Sequence, residues 1–338
     1  MAKRRTRLRL VEAGGSYFSS PTTTLELIHS GSTVLDCVIG GGWPLGRVVN
    51  IVGDRSTGKT LLAVEALTNF VKKYPKSKAY YAESEAAFNQ EYAQALGLPL
   101  DRIVFPEEID TVEALYDNIR KVIADSDGTP TLYVLDSLDA LSDESEKKRD
   151  IRAGSYGTGK AIMMSQLFRR LVRKVEKSQV CVMIISQVRT RIGITFGRNY
   201  TRSGGRALDF YASVILYLAH LGEIKRTVGG VSRTVGVKVK AKCTKNKVGL
   251  PFRECEFPII FSYGIEDITA SLDWLEANRQ IEATGLSGKE FKMLRKRALN
   301  GRLGDDELKE TRKALTKTVK QVWADVEQSF LPKRGKYS

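Results

Sequence analysis

Between residues 31 and 268 two hydrophobic rhythms alternate along the chain. Short, nearly unbroken apolar runs, "RVVNIVG" (47–53), "KAYYAE" (78–83), "RIVF" (102–105), "TLYVLD" (131–136) and "VCVMIISQ" (180–187), read as buried β-strands. Between them apolar residues return every three or four positions. In 161–177, Met163, Met164, Leu167, Phe168, Leu171, Val172 and Val175 form such a stripe, with Arg169, Arg170, Arg173 and Lys174 between them. This alternation predicts βαβ units, hence a mainly parallel sheet with helices on both faces. Three later runs, "SVILYLAHL" (213–221), "TVGVKVKAKCTKN" (234–246) and "CEFPIIFS" (255–262), are joined by short turns and predict an antiparallel extension of that sheet.

The texture differs at both ends. Residues 1–30 are polar and basic and predict no long helix. From about 269 onward the pattern is helical and densely charged; Leu308, Leu315, Val319, Val322, Trp323, Val326 and Phe330 mark one helix face. The expected organisation is a short basic segment (1–30), an α/β core (31–268) and a small, mostly helical C-terminal domain (269–338) with a basic tail of Lys333, Arg334 and Lys336.

Composition narrows the function. The apolar fraction of 42% in 338 residues supports a substantial core, and the net charge is +15. A chain this basic favours a polyanionic partner, nucleic acid or an anionic membrane, with a solubilising charge excess as the plainer alternative. The longest apolar runs hold about six residues, far short of a membrane span, and the basic N-terminus lacks a signal-peptide core. The expected setting is soluble and cytosolic. The four cysteines are scattered, with only His29 and His220 besides, so a zinc site is not expected.

"GDRSTGKT" (53–60) fits the pattern G-x-x-x-x-G-K-[ST], follows a predicted strand and opens the helical stretch "LLAVEALTNFVKKY". Gly53 and Gly58 would let the loop, with Asp54, Arg55, Ser56 and Thr57, wrap phosphates with its N–H groups inward, running into the helix at Leu61. Lys59 would meet the β- and γ-phosphates, and the Thr60 hydroxyl would ligate Mg²⁺. Asp136, at the C-terminal end of "TLYVLD", supplies the second metal ligand. Glu83 and Glu85, at the end of the neighbouring strand "KAYYAESE", are both candidates for polarising an attacking water.

The stretch "QVRTRIGITFGRNYTRSGGR" (187–206) sets Ile192, Ile194 and Phe196 among Arg189, Arg191, Arg198, Arg202 and Arg206, with no acidic residue. It is too rich in glycine for a regular helix or strand. Read alone, it is a solvated loop or a nucleic-acid contact.

Taken together, "STVLDCVIGGGWPLGRVVNIVGDRSTGKT", "AESEAAFNQEYAQALGL", "LYVLDSLDAL", "MMSQLFRRL", "ISQVRTRIGITFGRN", "GGRALDFYASVILYL" and "TKNKVGLPF" resemble the bacterial and phage RecA-type recombinases over roughly 31–268. The resemblance implies a RecA-like P-loop NTPase core that uses ATP and Mg²⁺. It implies Glu85, seven residues before Tyr92, as the catalytic glutamate. Asn89, Tyr92 and Tyr263 fall on the adenine side, and Gln187 matches the glutamine that senses the γ-phosphate. Lys245 and Lys247 match lysines that reach the ATP of the next subunit, and Phe210 matches an interface aromatic. Residues 188–206 resemble a DNA-binding loop, in which Arg189, Arg191, Ile192, Phe196, Arg198, Arg202, Gly204, Gly205 and Arg206 would contact the strand. A smaller loop at about 149–160 leads into the helix carrying Arg169 and Arg170.

The expected activity is that of a DNA-dependent ATPase. It would form a helical homo-oligomeric filament on single-stranded DNA, pair it with homologous duplex and exchange strands, with single-strand-binding and loading proteins as further partners. The chain departs from the family in several places. The N-terminal docking helix is not recognisable, Leu61 replaces a hydroxyl residue, Ile215 stands at a usually charged position, and the tail is basic where bacterial members are acidic and self-inhibiting. These traits suggest a phage-encoded member acting in bacterial cytoplasm. An accessory annealing or filament-loading ATPase, or a ring-forming translocase or helicase, are the alternatives. A D-loop assay separates the first and forked-duplex unwinding the second. A binding module without catalysis would not need Lys59, Thr60 and Asp136 together.

Overall fold

The computed structural model describes residues 25–85, 88–148, 158–190, 200–202 and 205–336. Strand β1 (Leu27–Ile28) pairs with β2 (Trp43–Pro44); between them in sequence lies helix α1 (Thr33–Ile39), whose N-cap is Ser32. The central strand β3 (Val48–Gly53) is buried throughout. Its alternate residues feed two cores. Val49 and Ile51 face one, Val48 and Val52 the other.

After β3 come α2 (Lys59–Lys73), β4 (Ala79–Glu83), α3 (Gln90–Ala95), β5 (Ile103–Val104), α4 (Val112–Ser126), β6 (Thr131–Asp136), the short α5 (Glu144–Lys147), α6 (Thr158–Lys177) and β7 (Val180–Thr190). Then follow β8 (Tyr200–Arg202), α7 (Gly205–Tyr211), β9 (Val214–Val228), β10 (Val231–Asn246), β11 (Glu254–Ile260) and β12 (Gly264–Ile265). The sheet runs in the order β12-β11-β10-β9-β3-β7-β6-β4-β5. The set from β9 to β5 is parallel, and β10, β11 and β12 extend it antiparallel. The fold class agrees with the sequence reading.

Two details correct it. First, β9 is not part of the antiparallel extension alone. It lies parallel to β3, from Val49 beside Val214 to Gly53 beside Leu218, and antiparallel to β10 on its other side. Second, the arginine-rich stretch contains strand at both 187–190 and 200–202 and runs into α7 at Gly205. Val188, Arg189 and Thr190 of β7 pair with Arg202, Thr201 and Tyr200 of β8. Its glycines fall between or after these paired residues, whose β-branched and aromatic members suit a ribbon.

The predicted stripe of α6 buries Met164, Leu167, Phe168, Leu171 and Val175. On the opposite face of the sheet lie α1 and α2, joined by α8 (Asp267–Ala277), α9 (Gly288–Leu299) and α10 (Asp305–Ser329). Leu315, Val319 and Val322 of α10 are buried there, and Trp323 stacks on Trp274 at 5.3 Å. Phe330 is 80% exposed, contrary to its place in the predicted stripe, because it caps α10 beyond the turns that meet the core. Polar groups fix the junction of α1 and α8. The buried Asp267 carboxylate accepts from Thr33 N at 2.6 Å and from Thr33 Oγ1 at 2.9 Å.

Candidate functional site

The phosphate loop leaves the C-terminal end of β3 and enters α2. Gly58, the residue before α2, has φ +85°, and a Cβ there would lie 2.5 Å from Ile259 Cδ1. At Gly53 a Cβ would lie 2.5 Å from Thr57 Oγ1 and 3.1 Å from the Leu218 carbonyl oxygen, so crowding favours glycine at 53 and the left-handed backbone favours it at 58. The loop is braced internally. Thr57 Oγ1 donates to the Asp54 carbonyl (2.8 Å), and Arg55 N donates to Asp54 Oδ1 (2.7 Å). Lys59 Nζ folds back onto the same Asp54 carbonyl at 2.6 Å. Burial holds the Lys59 ammonium below its ordinary pKa, against the pull of Asp136 and Glu85. A cavity of about 340 Å³ opens over residues 56–61, walled by Tyr92, Val237, Ile259 and Phe261.

Thr60 Oγ1 donates to Asp136 Oδ2 at 2.7 Å, so the two expected metal ligands meet. Tyr81 OH donates to the same oxygen, also at 2.7 Å. Burial pushes the Asp136 carboxyl above the usual range, and the two hydroxyl donors and Lys59 oppose that.

Glu83 and Glu85, equivalent candidates by position, differ in surroundings. Glu85 Oε1 accepts from Gln187 Nε2 at 2.8 Å and from the Ser137 hydroxyl. Glu83 stands beside Asp136 in the β4–β6 register and accepts from Glu85 N at 3.1 Å. Gln187, which the sequence reading put at a strand end, lies within β7, beside Gly53 and just before the residues that pair with β8; it also gives its backbone N–H to Asp139 Oδ2 at 2.6 Å. Glu85 is thus the carboxylate joined to the strand that continues into the arginine-rich ribbon.

On the base side, Asn89 caps α3 by accepting from Tyr92 N (2.8 Å), which aims Tyr92 at the cavity. Tyr263 does not line it; the residue lies on the β11–β12 turn against Arg312 and Glu65. Leu61 sends its side chain into the core at 4% exposure.

Lys245 and Lys247 lie at the other edge of the sheet. Asn246 pairs with Val214, level with Val49 at the start of β3, whereas the phosphate loop leaves beside Leu218. Four residues of strand, about 13 Å, separate the two levels. Lys245 Nζ binds the carbonyls of Asp209 (2.6 Å) and Phe210 (2.7 Å) at the end of α7, where a cation is favoured. Phe210 is 71% exposed beside it, and Lys247 is exposed.

Of the proposed DNA contacts, Arg169 and Arg170 are exposed on α6. Arg189 lies in β7, Arg202 in β8, and Gly205 and Arg206 in α7. Arg191, Ile192, Phe196, Arg198 and Gly204 lie outside the described residues, as does most of the 149–160 loop. Sequence reasoning missed Tyr81, Ser137, Asp139 and Phe261. Tyr81 sits two residues before Glu83, on the same face of β4, which is the one signal that could have found it.

A larger hollow of about 510 Å³ lies between the β10–β11 pair and α8–α9, where the Asp273–Arg295 and Lys240–Glu254 pairs satisfy one another. Its lining shows no chemistry comparable to the phosphate loop. Among the described residues no helix is long and apolar enough to cross a membrane, and no cluster of three or more His, Cys, Asp or Glu could hold a metal.

Residues 15–266 match the family of the RecA N-terminal domain. Protein RecA of Chlamydia pneumoniae is 35% identical over 306 residues, 90% of this chain and 83% of its own length. Protein RecA of Chlamydia felis is 36% identical over 267 residues, covering 79% of this chain and 74% of the relative. Protein RecA of Prochlorococcus marinus is 34% identical over 261 residues, 77% and 66%. The family match spans most of the chain and the relatives are about 35% identical over most of both lengths, so the chain belongs to the RecA family of strand-exchange recombinases.

Proposed function

We propose that this recombinase binds ATP and Mg²⁺ at the phosphate loop, forms a helical filament on single-stranded DNA, and pairs that strand with homologous duplex. The observation that carries the reading is the Gln187–Glu85 hydrogen bond. It lies beside the phosphate loop, on the strand that continues into the arginine-rich ribbon.

The residues fit the expected ligands. Gly58 takes the left-handed turn that starts α2 beside the cavity, and Thr60 and Asp136 converge on one point. Thr60 and Asp136 would hold Mg²⁺, which supplies positive charge to neighbouring phosphate oxygens when bound. Lys59 can exchange the Asp54 carbonyl for an anionic phosphate, a stronger acceptor for a cation. Glu85 is the group to orient a water and accept its proton, and Ser137 and Gln187 hold its carboxylate in place. The Gln187 backbone is held by Asp139, so its carboxamide can change partners directly beside the base of the ribbon.

Arg189, Arg191, Arg198, Arg202 and Arg206 would neutralise phosphates, and Ile192 and Phe196 would contact bases. Lys245 and Lys247, remote from their own pocket, would reach the nucleotide of the adjacent copy. The basic tail would leave self-inhibition by an acidic tail absent, and the site of action would be the cytoplasm of a bacterium, on host or phage DNA.

The test is D-loop formation with homologous and heterologous duplex, with ATP, with a non-hydrolysable analogue and without nucleotide. Joint molecules that require homology and triphosphate are the expected result. Annealing of complementary single strands without joint molecules overturns the reading.

A further inference from the structure

Two hydroxyl groups donate to one oxygen of Asp136: Thr60 Oγ1 and Tyr81 OH, each at 2.7 Å from Oδ2. Thr60 is the partner expected to turn toward a cation, which leaves Tyr81 as the direct protein restraint on the carboxylate. We propose that Tyr81 is a positioning residue for metal binding, its phenol fixing the rotation of the Asp136 carboxylate that would hold Mg²⁺. The proposal rests on the metal-ligand reading of Asp136 given above.

The rotation of an aspartate carboxylate about its last bond is broad and set by its partners. A fixed donor therefore decides how the group is presented, as second-layer hydrogen bonds do at metal sites generally. Tyr81 is suited to be such a donor. It is 1% exposed in the middle of β4, and its ring is wedged against Phe88 (centroids 4.6 Å apart) and Phe105 (6.0 Å). The strand period places it on the face that also carries Glu83, and Leu132, Val134 and Asp136 share the corresponding face of β6.

The hydroxyl is not demanded by packing. Tyr133, on the adjacent strand, is also fully buried, and its hydroxyl has no hydrogen-bond partner among the described residues. A buried tyrosine in this sheet is therefore tolerated without a polar contact, and phenylalanine would fill the space of the Tyr81 ring. What phenylalanine would lack is the bond to Asp136. The same aromatic group also stands just before Asn89 and Tyr92, so the metal side and the base side of the pocket are braced by one cluster.

The experiment uses the full chain and four variants: Tyr81→Phe, Tyr133→Phe, Asp136→Asn and the Tyr81→Phe/Asp136→Asn pair. Mn²⁺, a paramagnetic stand-in for Mg²⁺, is titrated in the presence of ADP and read by electron paramagnetic resonance. Binding of a fluorescent ADP analogue is measured separately in chelator. Tyr81→Phe should weaken Mn²⁺ binding roughly ten-fold, and it should raise the half-saturating Mg²⁺ of ATP turnover by a similar factor while lowering the saturated rate less. Metal-free nucleotide binding should not change, and Tyr133→Phe should match the parent. In the Asp136→Asn background the Tyr81 change should add nothing, because its effect passes through that carboxylate. Parent-like Mn²⁺ binding by Tyr81→Phe overturns the proposal, and so does an equal loss of metal-free nucleotide binding. If Asp136→Asn itself leaves Mn²⁺ binding intact, the metal-site reading falls instead.

Discussion

The Gln187 carboxamide donates to Glu85 Oε1 across 2.8 Å, tying β7 to the segment that follows β4. Glu83, two residues earlier, accepts the Glu85 backbone N–H at its Oε1. Replacing Glu85 with Gln keeps shape and removes the proposed base. ATP turnover should fall by about 100-fold or more while nucleotide binding persists. Glu83→Gln should cost much less. Turnover and equilibrium nucleotide binding, measured on both variants, check this, and the opposite ranking would transfer the role to Glu83.

Lys245 and Lys247 offer a test by mixing. A chain with both lysines changed to Ala keeps its phosphate loop, and a Lys59→Ala chain keeps its lysines. Each should be nearly inactive alone in DNA-stimulated ATP turnover. Mixed in equal amounts, they should recover activity, because lysines of one species can serve pockets of the other. Absence of recovery, with both species still binding single-stranded DNA together, would confine the lysines to a structural part in holding the end of α7.

The ribbon predicts a salt effect. Changing Arg189, Arg191 and Arg198 to Ala should weaken single-strand binding in the presence of an ATP analogue. It should also flatten the plot of log affinity against log salt by about one unit of slope for each arginine–phosphate pair removed. Fluorescence anisotropy of a labelled oligonucleotide at several salt concentrations measures both. An unchanged slope would place the phosphate-binding groups elsewhere.

His29 adds a pH dependence to stability. Burial alone would lower its pKa, but the hydrogen bond and charge of Asp36, with Asp267 behind it, outweigh burial and the opposing Lys320, so the value is raised above 6.5. The protonated form therefore stabilises the folded chain. That contribution is complete below the unfolded value, about 6.5, and is lost as pH rises through the higher folded value. The Tm of the parent should drop between about pH 6 and pH 8 by more than the Tm of His29→Gln. Parallel curves would show that the pair is energetically silent.

Much of this was legible because buried parallel strands write themselves as apolar runs, and the phosphate loop has fixed spacing. What stayed hidden is instructive. The parallel pairing of β9 with β3 depends on contacts far apart in sequence, and the 213–221 run carries no mark of it. The ribbon was obscured because arginines and glycines dominate the stretch, although the residues that pair, Val188, Thr190, Tyr200 and Thr201, are good strand formers. Tyr81 and Phe261 read as ordinary core aromatics. One has its partner on the neighbouring strand, and the other faces the cavity from β11's end. The choice between Glu83 and Glu85 rested on resemblance alone, since two carboxylates two residues apart look alike until the position of Gln187 is known.

The pocket and the two lysines occupy opposite rims of a single sheet, so copies joined rim to rim have a direction. One extremity of such an array carries a pocket that no neighbour completes. The other carries lysines with nothing to complete. If the lysines serve the adjacent pocket as proposed, every array would include one idle member whatever its length, and catalytic output per copy would climb as arrays lengthen and then level off.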